Sequence, residues 1–314
     1  MLTELKKTYT FDYPEAVKFT EQQMSVFWMP DEIHVEKDIQ DIRTNMTESE
    51  QHGVITVLKL FTLYELEIGK EYWGNKVMKW FPRPEVERMA NCFSFFELNV
   101  HAPFYNNLNK ALGLDTDDFY SSYLDDPDLL SRISFIASAL DSDDRLLSLS
   151  TFSILEGAVL YSNFAFLKHF QAQGKNKLKN VVSGIDFSVR DENLHSLAGA
   201  WLFKTHAKES GKEIPVEEIK SVARLIEQHE SIIIDKIFEK GTMEGITSLQ
   251  LKHFVQSRVN LCLENLGIEP IFPVIYNPIA SWFYRSINDY KYNDFFNGLG
   301  REYNRSWSEQ RFTW

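Results

Sequence analysis

The sequence predicts an all-α protein built round four long, mostly apolar helices. Three observations carry this. Helical periodicity runs through most of the 314 residues, no segment of any length alternates as a strand would, and only 14 Gly and 10 Pro interrupt the chain. A first helix is expected over roughly 13–27, broken by Pro30 in "SVFWMPDE". Thr47 and Glu50 form a capping-box start for a helix over 48–70, with Val54, Leu58, Phe61 and Glu65 on related faces. After "FPRP" a helix runs over about 85–112 and stops at Gly113. A third long helix covers about 143–172, a fourth 176–208, and further helices follow near 215–239 and 247–266. The last 25 or so residues lose helical period while keeping many aromatics, so 1–287 reads as one domain and 288–314 as a flexible tail.

Composition narrows the function classes. The net charge of −12 comes from scattered acids and disfavours nucleic acid or an anionic membrane as partner. Cys92 and Cys262 make no disulfide framework or zinc pattern, which points to a reducing cytoplasm. The N-terminus lacks the apolar core of a signal peptide, and no run of 18 apolar residues suggests a membrane span.

Each long helix carries one carboxylate in an apolar setting: Glu65 in "LFTLYELE", Glu97 in "FSFFELNVH", Glu156 in "FSILEGAVL" and Glu192 in "RDENLH". Two of the four also carry a histidine, His101 and His195. Such a set, projecting into a bundle core, is what a dinuclear iron or manganese site needs. Carboxylates bridge and neutralise two hard cations, and each imidazole completes one metal's shell. Without a metal, buried acids would have to protonate or destabilise the bundle. No member of the set is diagnostic alone. Glu48–His52 has similar spacing at a solvated helix start, Asp31–His34 lies beside a helix break, and Glu156 by itself would fit a hydrogen-bonded core glutamate equally well. The combination of one acid per long helix, with histidines on two of them, carries the reading.

In order and at compatible spacing, "FWMPDE", "TLYE", "FELNVHAPFY", "LEGAVLYSNFAF" and "RDENLH" resemble the motifs of the small, radical-generating subunit of class I ribonucleotide reductase. "SRVNLCLENLG" and "NPIASWF" resemble that family's closing helices, so the resemblance covers roughly 15–285. It implies a ferritin-like bundle with extra flanking helices and a dimetal centre held by Glu65, Glu97, His101, Glu156, Glu192 and His195. An iron pair is the first expectation, with Mn/Fe and Mn/Mn open. It further implies a radical on Tyr105, four residues after His101, screened from water by Leu160 and Phe164. Asp191 is expected to bond both His101 and Trp28, making a path for coupled electron and proton movement. One departure stands out: three residues separate Glu97 from His101 where the family has two. Positions i and i+4 still share a helix face, and a π-bulge could absorb the extra residue.

The chain has no glycine-rich phosphate loop and no CxxC pair. It should therefore store an oxidant for a separate large subunit that reduces ribonucleotides. The resemblance implies a homodimer whose tail docks on that large subunit, with Tyr303 as a tail relay ahead of Tyr290 and Tyr292, and Phe312 and Trp314 as anchors. Two other classes compete: a dimetal oxidase or oxygenase acting on its own organic ligand, and an iron-storage or scaffold protein. The first would need a substrate channel and the second a shell of shorter chains.

Overall fold

The computed structural model describes residues 1–284, apart from the side chains of Thr62, Leu63, Glu65, Leu66, Glu67 and Ala139. Tyr290, Tyr292, Tyr303, Phe312, Trp314 and the expected domain boundary at 287/288 lie outside the described residues. Among the described residues the helices are, in order, α1 (Pro14–Ser25), α2 (Glu48–Glu67), α3 (Met78–Trp80), α4 (Pro84–Phe96), α5 (Ala102–Leu112), α6 (Asp117–Ser121), α7 (Pro127–Leu140), α8 (Arg145–Ile154), α9 (Tyr161–Lys168), α10 (Lys179–Ser210), α11 (Val216–Ile237) and α12 (Ser248–Leu266), and residues 278–284 are helical as well. Among the described residues there is no strand, only an isolated bridge between Met243 and Ile246.

The four expected rods are present, but three are composite. α2 continues through a π-helical stretch, Ile68–Val77, into α3. α4 and α5 are one rod joined by a π turn at Glu97–His101, and α8 and α9 are joined by another at Leu155–Val159. Only α10 runs unbroken, for 32 residues. α10 packs along α8, α1 along α4, α2 along α5 and α11 along α12. The rod through α8 and α9 is the axis of the molecule, since every residue from 148 to 170 is buried. A helix apolar on all sides can be stable only as the centre of a bundle. None of the described helices is long and apolar enough to cross a membrane.

The ends follow local chemistry. The Thr47 hydroxyl accepts from the Glu50 amide at 3.3 Å and the Glu50 carboxylate accepts from the Thr47 amide at 2.9 Å, the reciprocal pair expected there. Gly113 closes α5 with φ of 77°. The sequence reading assigns no helix between 113 and 142, yet α6 and α7 lie there. The Asp126 carboxylate caps α7 by accepting from the amides of Asp128 and Leu129, with Pro127 in its first turn.

Candidate metal centre

The two π turns stand where the carboxylates are. Glu97 opens one and His101 closes it, so the three-residue spacing is absorbed as a wide turn. The rod can approach its neighbour closely because residue 69 is glycine, where a Cβ would lie 2.6 Å from that of Glu97. Glu156 sits in the other wide turn, and Glu192 and His195 lie on the regular α10 with ordinary i, i+3 spacing.

These elements converge. Glu97, Glu156, Glu192 and His195 are fully buried, and each offers one donor atom within 4.8 Å of the others. His101 joins them, its Nδ1 lying 2.8 Å from Glu97 Oε2 and 3.1 Å from Glu192 Oε1. Glu65 is carried by α2, its side chain outside the described atoms. The decoys stay outside, since Asp31, His34 and Glu48 are exposed and His52 is half-buried at the Lys236 carbonyl.

Both histidines point the same way. His101 Nε2 meets Asp191 Oδ2 at 3.2 Å, and His195 Nε2 meets Gln23 Oε1 at 3.1 Å. His101 Nδ1 is also in hydrogen-bonding alignment with Glu97 Oε2 at 2.8 Å, so an imidazole protonated there binds the carboxylate. The tautomer protonated at Nε2 and bonded outward instead turns its Nδ1 lone pair towards the carboxylates. His195 Nδ1 and Glu97 Oε1 approach to 2.6 Å, yet not in hydrogen-bonding alignment. Around Glu156, among the described residues, stand the Glu192 and Glu97 carboxylates and, at 3.9 Å, His195 Nδ1. Electron-rich atoms facing one another in a buried site need cations between them. The nitrogen and carboxylate donors fit divalent iron or manganese.

In metal-free protein, protons on the imidazoles and on Glu156 take the place of those cations. Burial, reinforced by the neighbouring Glu192 and Glu97 carboxylates, pushes Glu156 well above the usual carboxylate range. Burial would also raise Glu97, but His101 and His195 outweigh it and hold Glu97 low. Asp191 follows the same pattern: burial opposes ionisation, while the hydrogen bond to His101, the charge of Arg190 and the bond from Trp28 win.

Asp191 Oδ2 also accepts from the Trp28 indole N–H at 2.8 Å, so one oxygen joins Trp28 to His101. Trp28 follows α1 in a segment tied down by Arg190, whose guanidinium donates to the Val26 carbonyl at 2.8 Å. Its ring stacks near His101, at 6.0 Å between centroids, and packs on Phe104 and Phe187. Asp191 also has a long contact with an arginine, 3.6 Å from Oδ1 to Arg190 Nε.

Tyr105 lies on α5, one turn beyond His101, with 1 % of its surface exposed. Its screen differs in part from the expected one. Phe61 covers it face to face at 4.2 Å, and Phe164 stacks behind Phe61 at 5.5 Å. The sequence reading also missed Gln23 and two aromatic neighbours of His195, Phe93 at 4.3 Å and Trp73 at 6.1 Å. A signal for Gln23 existed. Ala16, Thr20 and Gln23 form the buried stripe of α1, and a fully buried amide on such a stripe calls for a partner.

The family description "Ribonucleotide reductase, small chain" matches residues 6–278. The probable ribonucleoside-diphosphate reductase small subunit 048L of Invertebrate iridescent virus 3 is 24% identical over 317 residues, covering 93% of this chain and 82% of its own. The ribonucleoside-diphosphate reductase subunit beta of Treponema pallidum is 27% identical, with 86% and 78% covered. Among solved structures, the ribonucleotide reductase R2 subunit from Clostridium botulinum superposes with a TM-score of 0.79 at 22% identity, over 90% of this chain and 91% of that one. The dimanganese(II)-NrdF of Streptococcus sanguinis does so with a TM-score of 0.75 at 21% identity, over 89% and 98%. With the family pattern matched from the N-terminal segment to the last helices, this chain belongs to the ribonucleotide reductase small-chain family, the β subunits of ribonucleoside-diphosphate reductase.

Proposed function

We propose that this chain generates and stores the radical of its reductase, using a two-metal centre held by Glu65, Glu97, His101, Glu156, Glu192 and His195. The observation that carries the reading is the inward pair of histidine Nδ1 atoms among buried carboxylates, each imidazole braced from behind by Asp191 or Gln23. Bound and oxidised, iron or manganese supplies the one-electron oxidant, with an iron pair, Mn/Fe and Mn/Mn all compatible with the donors.

The remaining roles belong to the chain's own side chains. Asp191 and Gln23 hold the imidazoles in the tautomer that leaves Nδ1 free. Tyr105 would become the stored radical, its phenolic electron and proton both taken up by the oxidised centre, and the Phe61 face keeps water from it. Asp191 holds the Trp28 N–H and the His101 N–H on one oxygen, so an indole that loses an electron has a base in place for its proton. The radical then passes by way of Trp28 towards the tail and Tyr303, and through the docked tail to the large subunit, where ribonucleotides are reduced. The working unit is a homodimer, for which exposed Met24 and Phe95 supply apolar surface.

An oxidase acting on its own organic ligand would need a cavity reaching the carboxylates. A groove of about 800 Å³ beside α1 and α4 is lined by residues including Tyr9, Met24, Phe27, Arg88, Cys92 and Phe95, none of them a candidate ligand. The deciding experiment loads the protein with Fe(II), Mn(II) or both, counts metal per chain, and records electron paramagnetic resonance after oxygen exposure. About two metals per chain and a tyrosyl signal lost in Tyr105→Phe are expected. Two metals without a Tyr105-dependent signal would move the oxidant off Tyr105, and no metal would end the reading.

A further inference from the structure

Arg258, on α12, is 3 % exposed, and among the described residues no carboxylate lies within 4 Å of it. A buried guanidinium without an acid beside it is costly and calls for a reason. Its neighbours supply one. Nε donates to the carbonyl of Gly157 at 2.8 Å, Nη1 donates to the Tyr284 hydroxyl at 3.0 Å, and the guanidinium lies 3.8 Å above the Tyr161 ring. Gly157 is the residue after Glu156, inside the wide turn Leu155–Val159. A helix leaving its regular ladder needs outside donors for its carbonyls, and Arg258 supplies one there. Tyr161 in turn donates its hydroxyl to the Val189 carbonyl at 3.2 Å, on the same helix as Asp191 and Glu192.

We propose that Arg258 is a positioning residue for Glu156: its clamp on the Gly157 carbonyl and the Tyr161 ring fixes the wide turn that aims Glu156 at its partners. The proposal rests on the metal-centre reading for its consequence, while the clamp itself is independent of metal.

The test compares wild type with Arg258→Met, Arg258→Lys and Tyr284→Phe in two measurements. In metal-free protein, hydrogen exchange at the amides of residues 158–162 should quicken about tenfold in Arg258→Met, what losing one hydrogen bond is worth. In Mn(II) titrations followed by calorimetry and electron paramagnetic resonance, the weaker binding step should lose roughly 10–100-fold in affinity, the usual cost of removing a group that orients a ligand. Arg258→Lys keeps the charge but not the planar fork and should fall between, a partial rescue that a void alone would not give. Tyr284→Phe leaves the Gly157 contact in place and should bind metal as wild type does. If Arg258→Met does not fold, Arg258→Lys carries the test. Wild-type exchange and wild-type affinity in the variant that folds would overturn the proposal. Wild-type protein that binds no Mn(II) would overturn the metal-centre reading instead, and the exchange data would still decide whether Arg258 holds the turn.

Discussion

Replacing Asp191 by Asn should cost far more than its near-identical shape suggests. Asp191 is fully buried, and its Oδ2 accepts from Trp28 Nε1 at 2.8 Å and faces His101 Nε2 at 3.2 Å. An amide oxygen in that place still accepts but carries no charge, which removes about 1–1.5 kcal/mol from each bond. The amide NH2 then occupies the position of Oδ1, which among the described residues has no hydrogen-bond partner and lies 3.6 Å from Arg190 Nε. Two buried donors facing an arginine add about 1–3 kcal/mol, for a total of about 3–6 kcal/mol in metal-free protein. Urea denaturation of wild type and Asp191→Asn measures this directly. The folded carboxyl titrates below its unfolded value, so its contribution is present above the unfolded value and is lost as pH falls through the folded one. The variant should accordingly show a flatter acid limb. Mn(II) affinity should fall roughly 10–100-fold, because His101 loses the partner that sets its tautomer. A loss below about 1 kcal/mol together with unchanged metal affinity would refute the argument that this oxygen's charge organises the site.

Two further outcomes follow from the same geometry. Because burial and neighbouring carboxylates raise Glu156, its contribution to metal-free stability is present below the unfolded value of about 4.5 and is lost as pH rises through the folded one. A metal must displace that proton, so Mn(II) affinity should rise with pH and binding should release protons, countable by calorimetry in buffers of different ionisation heat; Glu156→Gln should abolish that release. Gly157→Ala would put a Cβ 2.3 Å from Cys262 Sγ and 2.5 Å from Ser196 Oγ, and should destabilise the fold by ~1–3 kcal/mol. Adding Cys262→Ala should recover part of that loss in denaturant titrations, since the two sites share one contact.

What could be read from the sequence was whatever a single helix states about itself. Thr47 and Glu50 announce a helix start, and Gly113 a helix end. Glu97, Glu156 and Glu192 announce themselves as acids in apolar surroundings, and Asp126-Pro127 carried a start signal that the reading passed over. The extra residue before His101 was legible as an irregularity, and the π turn supplies its physical form. What could not be read were partnerships between distant segments. Gln23 and His195 are 172 residues apart, and Arg258 and Gly157 are 101 apart. Nothing local marks an arginine as a clamp or a glutamine as an imidazole's brace; three-dimensional packing decides both. Phe61 shares related faces with Val54, Leu58 and Glu65 in the sequence, but only the fold puts its ring flat against Tyr105.

The contrast between the unbroken α10 and the two rods with wide turns bears on how such a site tolerates change. A π turn is a helix holding one residue more than its hydrogen-bond ladder requires. Losing or gaining a residue there can be taken up locally, with the flanking helices kept in register. α10 has no such reserve: a single insertion before Glu192 would turn Glu192, His195 and Asp191 together by about 100° away from their partners. Length variation in descendants of this chain should therefore collect around Glu97 and Glu156 and be purged from α10. The cage has its ruled edge in α10 and adjustable ones at Glu97 and Glu156.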